Sequence, residues 1–403
     1  MYNYTPLVKK FIVFLALLLP ISACVNNKKI NSNLELDDVV VWQYSNYLNN
    51  TEIDKDVTSN NNYEIVYIDN SLRLPLVAQP IIGKDYYIGM NRNGVISRIN
   101  IANNKITWKN KQAGSKFIFY SNYLNGGLLQ EKDRIYASFG SDFISCLNSK
   151  TGKLIWEQKL QEIVRAYPVL ENGILYLQTL NNGIYSINAI DGAILWYKAG
   201  IIDGVSVVNV VSPVIYKNAI IMQDGNGAIS IVNKRTGFEE WNFDDGNISF
   251  ENILNDVKIS VYQPLIVDNF LYFYTPGGYL SKLNLSNKEV VWREKYNIDR
   301  PIHIHNNIAY AIDDKDTFLA IDLKTGNNIW KAKLIDYLDE KEKRKNRYWN
   351  SPIATNDLIY ISSSKGEILT FKATGNFNNI KYKVGKGSYI SPINTGEKIY
   401  VIS

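Results

Sequence analysis

Two histidines are the whole complement of a 403-residue chain, and they stand two apart in "PIHIHNN", at His303 and His305. Alternation along a strand would put both rings on one side, a spacing suited to sharing a metal ion. The run "DDKD" follows, with Asp313, Asp314 and Asp316. Carboxylates are what calcium takes, but calcium asks for six to eight oxygen ligands, and no acidic cluster here suggests that many. The histidines lack a third ligand in the sequence, and "DDKD" lies between two strands, where a solvated hairpin turn is expected. There is no Gly-rich phosphate loop and no nucleophile constellation. The expectation is therefore a binding module with no catalytic residue, no metal and no cofactor.

The two cysteines do different things. Lys9 and Lys10 precede "FIVFLALLL", which is too short to span a bilayer as a mature helix, and "ISAC" follows, ending at Cys24. A basic segment, an apolar segment and small residues before a cysteine resemble a bacterial lipobox, whose cysteine is lipidated and becomes the first mature residue. An ordinary secretory signal with an incidental cysteine is the alternative reading. Val25, where many inner-membrane lipoproteins carry Asp, resembles the class sorted to the outer membrane. Cys146 then remains alone, in the apolar strand "FISCLN", and reads as a small buried hydrophobe.

Hydrophobic residues are 46% and charged residues 21% of the chain, a globular composition. The net charge of +5 falls to +3 without residues 1–23, which carry two lysines, too weak and dispersed for a nucleic-acid partner.

What must position any functional group is a repeat. "NSKTGKLIW" ends at Trp156, and five similar stretches end at Trp108, Trp196, Trp241, Trp292 and Trp330. A proline precedes the tryptophan by 28 residues at Pro80, Pro168, Pro213 and Pro264, and by 29 at Pro301; Leu128 takes that place before Trp156. The steps between tryptophans vary from 38 to 51 residues, so insertions fall between units and not within them. Each unit reads as four strands. In all six the third strand is apolar one and four residues before the Asn or Asp, as at Leu147 and Ile144. Those positions face opposite sides, so both faces of the sheet are covered. Periods of 20–50 residues with doubly covered sheets give a propeller.

The same ruler counts blades. Pro352 leads to Ile380 as a seventh unit without tryptophan, and a last "SPI" begins an eighth that the chain does not finish. Its missing outer strands are expected from residues 63–69 or 39–45. The expected organisation is a signal peptide at 1–23, a tether with a short strand at 24–60, and at 61–403 an all-β, eight-bladed propeller of four-stranded blades. N-terminal strands would complete the C-terminal blade and remove two open sheet edges.

The T-G-x-x-x-W repeat is that of the quinoprotein-like propellers, and lipobox plus eight units resembles the BamB family of outer-membrane protein assembly lipoproteins. The resemblance implies a scaffold on the periplasmic face of the outer membrane, held by a lipid anchor. Its partner would be the periplasmic domains of a BamA-like barrel-inserting protein, with other lipoproteins of the assembly complex as further partners. The same repeat occurs in quinone-dependent dehydrogenases, which use calcium, carboxylates and adjacent cysteines; this chain has no adjacent cysteines.

In the BamB family the loops entering the fourth and fifth blades make the contact, with a Leu/Arg cluster in the first and Asp in the second. Here the first stretch, 198–211, offers Val205, Val207, Val208 and Asn209 and no Arg. The second, 244–263, offers Ile259 and Val261, with Asp256 offset. Those seven residues are the expected partner-binding positions, without the family's charge chemistry; "VSVVNVV" also reads as a plain strand. A third insertion, 334–350, is highly charged, suits a short helix and reads as a solvated face.

Overall fold

The computed structural model describes residues 40–42, 64–68, 78–91, 93–111, 126–200, 211–225, 227–243, 262–275, 277–355, 358–385, 387–396 and 398–402. Their strands form eight sheets, six of four strands, one of five and one of three. Seven sheets run in chain order: residues 81–110, 127–164, 169–198, 214–243, 265–295, 303–333 and 353–383. Each is an antiparallel meander whose last strand is the outer edge, and in all but the second the first strand has only two or three residues. Successive strands alternate in direction, so the links between blades share one face of the disc with the turns after each second strand. The turns after first and third strands share the other face.

The doubly covered third strand is observed without exception. All twelve positions read as apolar on both faces, from Ile96 and Ile99 to Phe318 and Ile321, are 0% exposed. Opposite faces serve different neighbours. Leu147 joins the cluster shared with the first blade, through Ile88 and Trp108, and Ile144 joins the one shared with the third, through Leu177 and Tyr185. Eight apolar clusters occupy the eight seams between adjacent blades. Burial of about 25 cal/mol per Å² of apolar surface at each seam is what holds the disc.

Closure comes from the N-terminal side. The eighth blade has two strands of its own, Ile393–Asn394 and Lys398–Ile402, and Glu64–Ile68 pairs parallel to the second of them, Glu64 opposite Lys398. The period of two then works on both sides. Ile65 and Tyr67 pack toward the seventh blade's Tyr360 and Ile368, and Val66 and Ile68 pack toward the first blade's Tyr87 and Ile99. The other candidate strand goes elsewhere. Val40–Trp42, read as a strand within the tether, pairs antiparallel with Ile81–Gly83 as a fifth strand of the first blade. A short first strand leaves an edge of backbone donors and acceptors, and this strand takes it. No fourth strand of the eighth blade lies among the described residues.

Candidate binding surface and the seams that fix it

The nine-residue repeat is consumed by the seams. Its Asn or Asp begins a turn by accepting backbone N–H groups on its side-chain oxygen. Asn148 Oδ1 takes those of Lys150 and Thr151 at 3.1 and 2.9 Å, and Asp322 those of Lys324 and Thr325 at 2.7 and 2.9 Å. The Thr325 bond, followed by that of Lys324, holds the Asp322 carboxyl below the usual range. The glycine follows at positive φ and lies against the tryptophan of the preceding blade. A Cβ on Gly152 would stand 2.4 Å from the Trp108 ring, and one on Gly326 2.8 Å from Trp292. The indole then reaches across: Trp108 Nε1 donates to Ser149 O at 2.9 Å, Trp156 to Ala189 O at 3.2 Å, Trp292 to Leu323 O at 3.1 Å and Trp330 to Ala373 O at 2.9 Å.

Two exceptions follow the same logic. The fifth unit, "NLSNKEVVW", has Lys288 at positive φ in place of glycine, and its ammonium lies 5.6 Å over the Trp241 ring of the preceding blade. The first unit also lacks glycine, and the blade before it is the eighth, which has no tryptophan. A β-bulge just before each tryptophan interrupts the register in all six units, leaving Thr107, Ile155, Leu195, Glu240, Val291 and Ile329 unmatched.

Sequence reasoning missed the cations that share these carbonyls. Lys282 Nζ donates to Leu323 O at 2.9 Å beside Trp292, and Arg98 to Ser149 O at 3.3 Å beside Trp108. Both stand ten residues before their tryptophan, which is the signal that marks them. Loss of hydration lowers the Lys282 pKa.

The insertion 334–350 departs from its solvated reading. It holds a 3₁₀ turn, Leu334–Tyr337, and a helical turn, Glu340–Lys343. Its tip is exposed, but its ends are strapped to the seventh blade. Leu334, Leu338 and Trp349 are buried, and Tyr337 meets Phe371 edge-on at 5.1 Å. Arg347 Nη1 stands 3.1 Å from Glu367 Oε2, with side chains 5% and 2% exposed, and Lys383 Nζ stands 2.6 Å from Glu367 Oε1. Burial alone would raise the Glu367 pKa; hydrogen bonds from Lys383 and Ser363 override it and bring the carboxyl down to about 2. Arg300, itself 5% exposed, donates to Trp349 O at 2.6 Å and lies 3.8 Å over the Tyr348 ring.

The chemically suggestive residues take structural places. Asp313 Oδ1 accepts from the N–H groups of Lys315 and Thr317 at 2.9 and 2.7 Å, and the turn is half-buried rather than fully solvated. Burial raises the Asp316 pKa. His303 and His305 share the strand His303–His305; loss of hydration, then the charge of His305, pushes His303 down to about 3, so it is neutral at neutral pH. No group of three or more His, Cys, Asp or Glu suited to a metal lies among the described residues. Cys146 is a buried free thiol, pushed up to about 11 by burial, which is far from a reactive thiolate.

Comparison with known proteins then decides the family. The family model described as outer membrane protein assembly factor BamB matches residues 92–332. The chain belongs to the BamB family. Among relatives, the outer membrane protein assembly factor BamB of Moranella endobia is 22% identical over 329 residues, 80% of this chain and 82% of that one. An uncharacterized protein of Rickettsia conorii is 25% identical over 273 residues; the chain spans 65% of its length. Among solved structures, BamB from Moraxella catarrhalis has a TM-score of 0.63 at 16% identity, covering 80% of this chain and 92% of that one. Quinohemoprotein alcohol dehydrogenase from Comamonas testosteroni has a TM-score of 0.62 at 11% identity, covering 85% and 71%. The fold is thus shared by BamB and by dehydrogenases.

The adjacent cysteines that such dehydrogenases use do not occur in this BamB-family chain. Cys146 is sealed in a seam. Cys24, Val205, Val207, Val208, Asn209, Asp256, Ile259 and Val261 all lie outside the described residues. What flanks the two loops is described. Loop 201–210 joins Gly200, just past the outer strand Ile194–Lys198, to buried Val211 and Ser212, and Ser212 Oγ donates to Tyr167 O at 2.9 Å. The second loop ends at Tyr262, edge-on to Tyr274 at 5.2 Å. By connectivity both loops leave one blade and enter the next on the same face of the disc.

Proposed function

We propose that this chain is a non-catalytic scaffold of outer-membrane protein assembly, lipid-anchored through Cys24 to the periplasmic face of the outer membrane. Residues 1–23 are its signal peptide and the following segment its tether. It binds the periplasmic domains of a barrel-inserting outer-membrane protein through the loops entering the fourth and fifth blades, with Val205, Val207, Val208, Asn209, Asp256, Ile259 and Val261 as the contact positions. Family membership supports the class. The observation that carries the scaffold reading is that the repeat's Asn or Asp, Gly and Trp are spent on blade seams, so the variable loops on a rigid disc remain for recognition. A partner strand adding by main-chain pairing would make the contact without the family's Arg and Asp.

Affinity purification of the full chain from detergent-solubilised envelopes tests this. Recovery of a barrel-inserting outer-membrane protein supports the scaffold, and Cys24→Ser should release the chain from membranes washed in high salt. Dye reduction that needs added calcium and quinone, with no such protein recovered, would overturn the reading in favour of a dehydrogenase.

A further inference from the structure

The turns after the third strands lie on the face opposite the loops just discussed, and they carry a pattern the seams do not need. Ile106, Leu154 and Ile194, two residues before their tryptophans, are 40–41% exposed, and the bulge residues Ile155 and Leu195 are 43% and 50% exposed. In the turns themselves, Ile190 is 68% and Phe238 75% exposed. Single exposed apolar residues are ordinary; adjoining ones mark a contact.

These residues adjoin because of the seam geometry. Gly152 lies on Trp108, Gly192 on Trp156 and Gly237 on Trp196, so each turn abuts the outer strand of the preceding blade. The first four blades thus present one apolar arc along their rim. The fifth blade repeats the pair with Val290 and Val291 at 39% and 48%, and the sixth carries Ile329 at 51%.

The exposed charges on the arc lean positive, four cations to three anions, one of them paired. Lys105, Lys150, Lys153 and Arg235 are exposed on its turns. Against them stand Asp191, Glu240, and Glu239, whose carboxylate is taken up by Lys198 at 2.8 Å. The turns nearer the axis on this face are mixed, with Lys84 beside Asp85 and Lys132 beside Asp133.

We propose that this basic, apolar arc on the first four blades rests on an anionic phospholipid surface. An aliphatic band interleaved with lysines matches such a surface: the apolar groups enter the boundary of the acyl chains while the cations meet phosphates. A disc seated this way turns the loops entering its fourth and fifth blades away from the bilayer, so both surfaces can be used together. The inference does not depend on the assembly partner.

The test uses the mature chain, residues 24–403, carrying Cys24→Ser, so that neither an acyl chain nor the apolar segment of the signal peptide contributes. It is sedimented with vesicles of phosphatidylcholine alone and of phosphatidylcholine with a third phosphatidylglycerol. The expected result is binding to the anionic vesicles, weakened at least tenfold by raising salt from 0.05 to 0.5 M. Lys105→Glu with Lys153→Glu and Arg235→Glu should weaken it at least tenfold. Ile190→Ser with Phe238→Ser should do the same at unchanged melting temperature; both positions are exposed turn residues. Equal binding to the two vesicle types, or variants that bind as the parent does, overturns the proposal. So does concentration-dependent self-association abolished by Phe238→Ser, which would make the arc a contact between copies of this chain.

Discussion

The seam between the fifth and sixth blades and the seams on either side of the eighth hold the same disc by different means. At the first, Trp292 and Lys282 both donate to Leu323 O, and Gly326 lies on the indole. At the others the nine-residue repeat supplies no tryptophan. Ile380, 43% exposed, occupies the position on the seventh blade, and the eighth blade borrows Glu64–Ile68 from more than 300 residues away. A local motif suffices where a blade follows its neighbour in the chain. Where the ring must close, apolar alternation on a distant strand replaces it. At the seam between the sixth and seventh blades the insertion 334–350 adds one buried ion pair, Arg347 with Glu367.

Removing the closing strands should have the largest effect. Deletion of residues 392–403 takes both of the eighth blade's own strands and leaves Glu64–Ile68 without its pair. The expected outcome is loss of the cooperative melting transition and general sensitivity to limited proteolysis, since an opened ring exposes two apolar faces. A truncated chain as resistant as the parent would show that these strands do not close the disc.

Trp292→Ala should cost about 3–5 kcal/mol, the usual range for a buried aromatic. Ile380→Ala, at the equivalent position of the seventh blade, should cost roughly 1–2 kcal/mol, because that side chain is nearly half exposed. Urea midpoints compare the two, and equal shifts would contradict the distinction between seams.

Gly237→Ala sharpens the same point. Its φ of 75° is strained for alanine, and the added Cβ would meet Trp196 at 2.8 Å. Gly173, at φ 78°, has nothing within 4 Å of its Cβ position. Strain alone should cost Gly173→Ala about 1 kcal/mol, and the ring contact should make Gly237→Ala about twice as costly.

The effect expected of pH is confined to acid solution. The Glu367 carboxyl is held down to about 2, below its unfolded range of about 4.3. Its contribution is therefore complete above the unfolded pKa and is lost as pH falls through the interval from about 4.3 toward about 2. Melting temperatures of the parent should fall over that interval more steeply than those of Glu367→Gln; parallel curves would remove Glu367 from the account.

How far the sequence reaches follows from the same contrast. The blade number, the twelve core positions of the third strands and the role of the repeat are legible because each unit repeats its own packing. Which N-terminal strand closes the ring is not, because 39–45 and 63–69 are both short apolar runs and only pairing separates them. The Arg347–Glu367 pair escapes for a related reason: a charged insertion reads as solvated until the blade that neutralises it is folded against it. The partner-binding loops remain readings of the sequence, since their residues fall outside the described positions.

The central claim is that the disc is a scaffold whose recognition lies in the loops entering the fourth and fifth blades. Its most direct test is the chain carrying Val207→Asp with Ile259→Asp, purified from solubilised envelopes beside the parent. The account predicts an unchanged melting temperature, to within a few degrees, and at least a tenfold loss of the co-purifying barrel-inserting protein, as truncating an interface hot spot worth 2 kcal/mol or more would give. A variant that folds and retains that protein in full would contradict it, and a variant that unfolds would place these residues in the core instead.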